Sequence, residues 1–227
     1  MPHVHQLGGH ASHPAPARVV TPANWTVERP PIALVIAVVG AVLAVFGYVF
    51  FDWAAGTSFA DVRHAASADG TNAGVVTQVY TRAVFLPVLV AAVLATLCAP
   101  VGHAIWRVVT GAAGILVGAG LMAALIWVVA GAVGTDETRR SALPALAVMA
   151  LAGVGIAVLG ACALFDTRAV FARSLAAAVA ALGVVLHVYV VEDVIDNPDF
   201  GAWAGAVGYA LLVVAVAVPY RRITHAR

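Results

Sequence analysis

The amino-acid sequence predicts an all-α protein: a polytopic transmembrane bundle of six helices with both termini on the cytoplasmic side. Three observations lead there. Of 227 residues, 63% are hydrophobic and the mean hydropathy is +0.98, more apolar surface than a water-soluble domain can cover with polar groups. Six stretches reach the roughly 17–25 apolar residues that a helix needs to cross a bilayer core. The arginines also gather in alternate connections, eight on one side and four on the other, which sets orientation by the positive-inside rule.

Residues 1–30 precede the first span and contain Pro14, Pro16, Pro22 and Pro30 with His3, His5, His10 and His13, without apolar periodicity. A disordered cytoplasmic tail is expected. The histidines are irregularly spaced in a flexible segment, so a solvated tail is favoured over a metal site. A cleavable leader is a poor match, because the apolar run that follows begins late and is too long for one.

The expected spans are residues 31–51, 83–99, 108–133, 143–165, 174–191 and 202–219, within a membrane domain covering 31–219, and 220–227 forms a short cytoplasmic tail. Lipid offers the backbone no hydrogen-bond partner, so these segments are read as helices despite their many valines. Pro87 and Pro144 fall near helix starts, where they are tolerated. With the N-terminus inside, Arg18, Arg29, Arg107, Arg168, Arg173, Arg221, Arg222 and Arg227 are cytoplasmic, and Arg63, Arg82, Arg139 and Arg140 are outside. Asp136 and Glu137 lie beside the last pair and offset it locally.

The long outer loop, 52–82, carries a short helix signal. Ser58-Phe59-Ala60-Asp61 has the spacing of a reciprocal cap, and Phe59, Val62 and Ala66 would share one face of the helix that follows. Such a helix suits the headgroup level or the tops of the spans. Trp53, Tyr80 and Trp203 at the outer boundary, with Trp106 and Tyr220 at the inner one, are read as interfacial aromatic belts.

All twelve basic residues are Arg, and Ala, Val and Gly dominate; in this the chain resembles the coding bias of high-GC actinobacterial membrane proteins. The resemblance is compositional and implies no family. Cys98 and Cys162 lie in apolar runs and are read as small packing residues without a disulfide.

Charged residues are only 10% of the chain, yet Glu192, Asp193, Asp196 and Asp199 crowd the turn after the fifth span. In the expected topology this turn is outside, where carboxylates are solvated. Oxygen ligands of this kind could contact a protein partner or a hard cation, but the spacing lacks the alternation and central Gly of an EF-hand loop. A solvated turn is favoured, and no metal or cofactor is expected.

His187, inside the fifth span, is the most informative single residue, since ionisable groups at such depth are costly and face protein or water. Its own helix offers no acid at i±3 or i±4, so a partner must come from elsewhere; Tyr48 on the first span and Tyr209 on the sixth lie at comparable depth. A buried His–Tyr hydrogen bond is the favoured reading, and a residue lining a transport pathway the alternative. Gly114 with Gly118, and Gly201 with Gly205, have the GxxxG spacing that lets helices approach closely in lipid, and packing within the bundle is their expected use.

A net charge of +1 and the lack of a dense basic stretch argue against a nucleic-acid partner. No nucleophile elbow, phosphate loop, HExxH or pair of intramembrane acids occurs, so no enzyme is expected. The lipid bilayer is the expected surrounding. The sequence reads best as an integral protein of the inner (cell) membrane, an accessory or scaffolding component whose outer loops contact a membrane or envelope protein. A small transporter or permease-like protein with His187 in its pathway is the alternative.

Overall fold

The computed structural model describes residues 25–54, 56–67, 74–98, 104–131, 134–165, 169–195, 198–219 and 221–224. The helices are α1 (Pro31–Val49), α2 (Phe59–Ser67), α3 (Val75–Val79), α4 (Phe85–Cys98), α5 (Ala104–Val129), α6 (Asp136–Phe165), α7 (Ala169–Val194) and α8 (Phe200–Ala217). Short strands are β1 (Trp25–Glu28), β2 (Asp52–Ala54), β3 (Thr57–Ser58) and β4 (Arg221–Thr224). A π-helical turn, Tyr80–Val84, joins α3 to α4, so that Val75–Cys98 is one membrane-length helix. Among the described residues, six helices are long and apolar enough to cross a bilayer. The protein is an all-α polytopic bundle.

The second span starts at Val75, not at 83, so the loop expected over 52–82 is shorter. Its polar residues hid this start. Thr77, Gln78 and Thr81 are buried, and Thr81 Oγ1 returns its proton to the Thr77 carbonyl at 2.8 Å, which removes the cost of placing a hydroxyl in a helix interior. The fourth span likewise begins earlier, at Asp136, where Thr135 and Thr138 cap each other: the Thr135 N–H donates to Thr138 Oγ1 at 2.9 Å and the Thr138 N–H to Thr135 Oγ1 at 3.4 Å. Asp136 pairs with Arg139 in the first turn. Pro144 therefore sits inside α6, not near its start. The third and fifth spans are shifted or lengthened to Ile105–Val129 and Val170–Val194.

The expected tails also need correction. Trp25–Glu28, placed in a disordered 1–30, forms an antiparallel ribbon with Arg221–Thr224, with Glu28 opposite Arg221 and Trp25 opposite Thr224. The two ends of the membrane domain are thereby joined on one face. Residues 1–24 and 225–227 lie outside the described residues, as does Tyr220.

Two tight seams organise the bundle, and glycine makes both. On the α1–α8 seam, a Cβ on Gly47 would come within 2.7 Å of the Gly205 nitrogen and 2.9 Å of the Gly201 carbonyl oxygen, and one on Gly40 within 2.9 Å of the Gly208 carbonyl oxygen. On the α5–α6 seam, a Cβ on Gly160 would meet the Gly111 carbonyl at 2.7 Å, while Gly118 faces Gly153 and Ala157. Backbones this close gain dispersion contacts that larger side chains would forbid. α4 and α7 pack between these pairs, and the core runs along them through Val88, Ala92, Leu175, Val179 and Leu186. Large apolar side chains such as Leu116, Ile126, Val148 and Leu151 remain on the outside, as a lipid-facing wall requires.

Candidate functional site

At the end of the bundle opposite the terminal ribbon, the segment between α1 and α3 folds back as a cap. β2 and β3 pair around Gly56, whose φ of +70° lies in the left-handed region, open to Gly at no steric cost. Ser58 and Asp61 then cap α2 reciprocally: the Ser58 N–H and hydroxyl donate to Asp61 Oδ2 at 2.9 and 2.6 Å, and the Asp61 N–H donates to Ser58 Oγ at 3.3 Å. The cap turns Phe59, Val62 and Ala66 inward. Trp53, expected in an interfacial belt, is fully buried, and its Nε1–H donates to the Gly47 carbonyl at 2.7 Å. Trp203 and Trp106 are half exposed or nearly so.

Beneath the cap lies a chain of buried polar groups. His187 Nε2 is 2.6 Å from the Ala202 carbonyl oxygen. A carbonyl can only accept, so Nε2 carries the proton, and in a neutral imidazole Nδ1 is then the acceptor. Tyr48 Oη lies 2.7 Å from Nδ1 and therefore donates to it. Tyr80 Oη, 2.5 Å from Tyr48 Oη, then donates its proton to Tyr48. For a neutral imidazole, the direction of the whole chain, Tyr80 to Tyr48 to His187 to Ala202, follows from its carbonyl end.

Aromatic rings enclose the chain. Trp53 lies 4.8 Å and Tyr48 5.3 Å from the His187 ring, centroid to centroid, while Phe59 packs edge-on at 4.7 Å from Tyr48 and Phe85 at 4.7 Å from Phe59. Tyr209 is 6.2 Å from His187, and its hydroxyl is buried beside those of Tyr48 and Tyr80. Two glycines make room for these rings. Gly205 faces the imidazole and Gly183 faces the Tyr209 ring.

The structure thus brings His187, Tyr48 and Tyr209 together, with Gly205 against the same ring. It also adds Tyr80, which the sequence reading assigned to an outer boundary. The π-turn beginning at Tyr80, where the Phe85 N–H reaches the Tyr80 carbonyl, has no local sequence mark. Gly114 and Gly118, read as one motif, face different neighbours: Gly118 meets α6, and Gly114 meets Leu175 of α7 as well as Gly160.

The acidic turn is divided. Asp193 accepts from the Gly74 N–H at 2.9 Å and from Thr77 Oγ1 at 2.5 Å. It is an N-terminal cap supplied to α3 from the end of α7, satisfying donors that a helix start leaves free. Asp193 is therefore no freely solvated acid. Glu192 and Asp199 are exposed, and the Asp199 N–H donates to the Trp53 carbonyl at 2.8 Å, tying the turn to the cap. Asp196 lies outside the described residues. Among the described residues no group of three His, Cys, Asp or Glu side chains is placed to hold a metal ion, and Cys98 and Cys162 are free thiols.

Fold and site together define a multi-pass membrane protein with a capped, internally bonded polar core. Comparison with protein-family models, curated proteins and solved structures finds no match to this chain.

Proposed function

We propose that this chain is a non-catalytic integral protein of the cell membrane, an accessory or scaffolding component with both termini in the cytoplasm, whose opposite face presents a rigid cap to a membrane or envelope protein. The observation that carries this reading is the closure of the buried polar chain. Both His187 nitrogens are bonded within the protein, and Trp53 and Phe59 of the cap sit over the ring and over Tyr48. Intramembrane polar groups used this way hold elements in register; a pathway residue needs water or a solute at one of its nitrogens. Above this core the surface carries exposed Asp52, Glu192 and Asp199. The orientation rests on the arginine count and on the ribbon that joins the two termini on one face.

The test is a photo-crosslinking amino acid placed at Glu192 or Asp199 in cells, with Val148 on the lipid-facing wall as control. A protein adduct of reproducible mass at the cap positions, absent at Val148, supports the scaffold reading. No adduct, together with pH-dependent solute flux into proteoliposomes that His187→Ala abolishes, would replace it with the small transporter. A tag after Arg227 that impermeant reagents reach in intact cells would reverse the faces.

A further inference from the structure

The α5–α6 seam opens on the lipid-facing side into an apolar groove of about 400 Å³, lined by Ile115, Ala119 and Met122 of α5 and Val154 and Val158 of α6, with Gly118 at its floor. That volume falls in the range of small-molecule sites, roughly 300–1,000 Å³. Arg107 lies on the same line of α5: Arg107, Gly111, Gly118 and Met122 recur at i, i+4, i+11 and i+15, and Gly111 and Gly118 both face α6. Arg107 stands three residues into α5, at the end of the bundle that carries the terminal ribbon. Its Nε is buried without a hydrogen-bond partner, and it forms no ion pair among the described residues.

We propose that this seam binds one anionic phospholipid, with the phosphate on Arg107 and an acyl chain descending into the groove. The dimensions agree. From Arg107 to Ile115 is eight residues, about 12 Å of helix rise, and a chain crossing its own leaflet spans about 15 Å. Its lower part therefore meets the groove. A guanidinium forks onto phosphate oxygens with two hydrogen bonds, which supplies the acceptor that Arg107 lacks among the described residues. The same end of the bundle also carries Arg29 and Arg173 near the starts of their helices, a field that favours a net negative headgroup over a zwitterionic one.

The experiment is native mass spectrometry of the full chain released from detergent, titrated with phosphatidylglycerol or phosphatidylcholine. The expected result is one phosphatidylglycerol retained at collision energies that strip phosphatidylcholine. Arg107→Gln should weaken that retention about fivefold, the factor one arginine contributes near an anionic surface. Ala119→Phe, at an exposed position that fills the groove, should weaken it as well; Val158→Trp replaces it should that variant fail to fold, judged by its melting temperature. Equal retention of the two lipids, or an unchanged Arg107→Gln, overturns the proposal. Loss with Arg107→Gln alone, or equal protection by inorganic phosphate, shows a headgroup contact without the groove and overturns it too.

Discussion

Gly205 lies against the His187 imidazole at Cε1: a Cβ at this position would stand 2.9 Å from Nε2 and 3.1 Å from Nδ1. The GxxxG glycine of α8 thus serves two neighbours, since its backbone also receives Gly47 of α1. Gly205→Ala should lower stability by about 1–3 kcal/mol through overpacking of a site that cannot yield on either side. Gly120→Ala and Gly155→Ala are the controls, because a Cβ at those positions meets nothing within 4 Å. They should leave stability unchanged or raise it by up to about 1 kcal/mol through helix propensity. Denaturation in mild detergent distinguishes the three, and equal behaviour of Gly205→Ala and Gly120→Ala would refute the contact.

The hydrogen-bond chain predicts an order among its members. Tyr48→Phe leaves His187 Nδ1 without a donor and Tyr80 without its acceptor, whereas Tyr80→Phe removes only the last donor. The first should cost about 1–3 kcal/mol, the penalty for an unsatisfied buried polar group, and the second less. In a double-mutant cycle, Tyr48→Phe and His187→Ala should couple by about 0.6 kcal/mol, the average for hydrogen bonds between membrane helices, and by no more than about 1.7. Additive costs would mean that the two side chains stand side by side without bonding.

What was readable in the sequence, and what was not, follows from the range of the interactions. His187 stood out because it is an ionisable group in an apolar span, and depth along the helices was enough to bring up Tyr48 and Tyr209. The cap of α2 was readable because Ser58 and Asp61 are three residues apart. Tyr80 was missed because Thr77, Gln78 and Thr81 look like loop residues until the two threonine hydroxyls are seen to bond, that of Thr81 within the helix and that of Thr77 to Asp193. Asp193 was missed as a cap because its partner Gly74 lies 119 residues away. The pairing of the first helix with the last was legible only in part. Gly201 and Gly205 marked one side, but the seven-residue spacing of Gly40 and Gly47 on α1 went unread.

Asp193 joins the start of the second span to the end of the fifth, and its loss should be felt at the receiving end. Asp193→Ala removes the acceptor of the Gly74 N–H and the Thr77 hydroxyl, for an expected cost of about 1 kcal/mol, the usual worth of a helix cap. Amide exchange should rise over Gly74–Gln78, at the start of α3, while the amides of α5 and α6 keep their protection. Uniform loss of protection through the bundle would show instead that the carboxylate supports the whole fold.

The α2 cap has a pH dependence of defined sign. The Ser58 hydroxyl, and after it the Ser58 N–H, hold the Asp61 carboxyl below its ordinary value of 3.8. A carboxyl whose folded value is depressed stabilises the fold fully above its unfolded value and loses that contribution as pH falls through the folded one. Between about pH 7 and 5 the cap should therefore be indifferent to pH, and below 3.8 the protection of the Phe59–Ala66 amides should fall. Asp61→Asn retains an acceptor for Ser58 but cannot titrate, so it should start with weaker protection and show no acid-dependent drop. Exchange at about pH 5 and about pH 3, corrected for the intrinsic rate, gives the answer: an Asp61→Asn chain that still loses protection on acidification would assign the effect to a group other than this carboxylate.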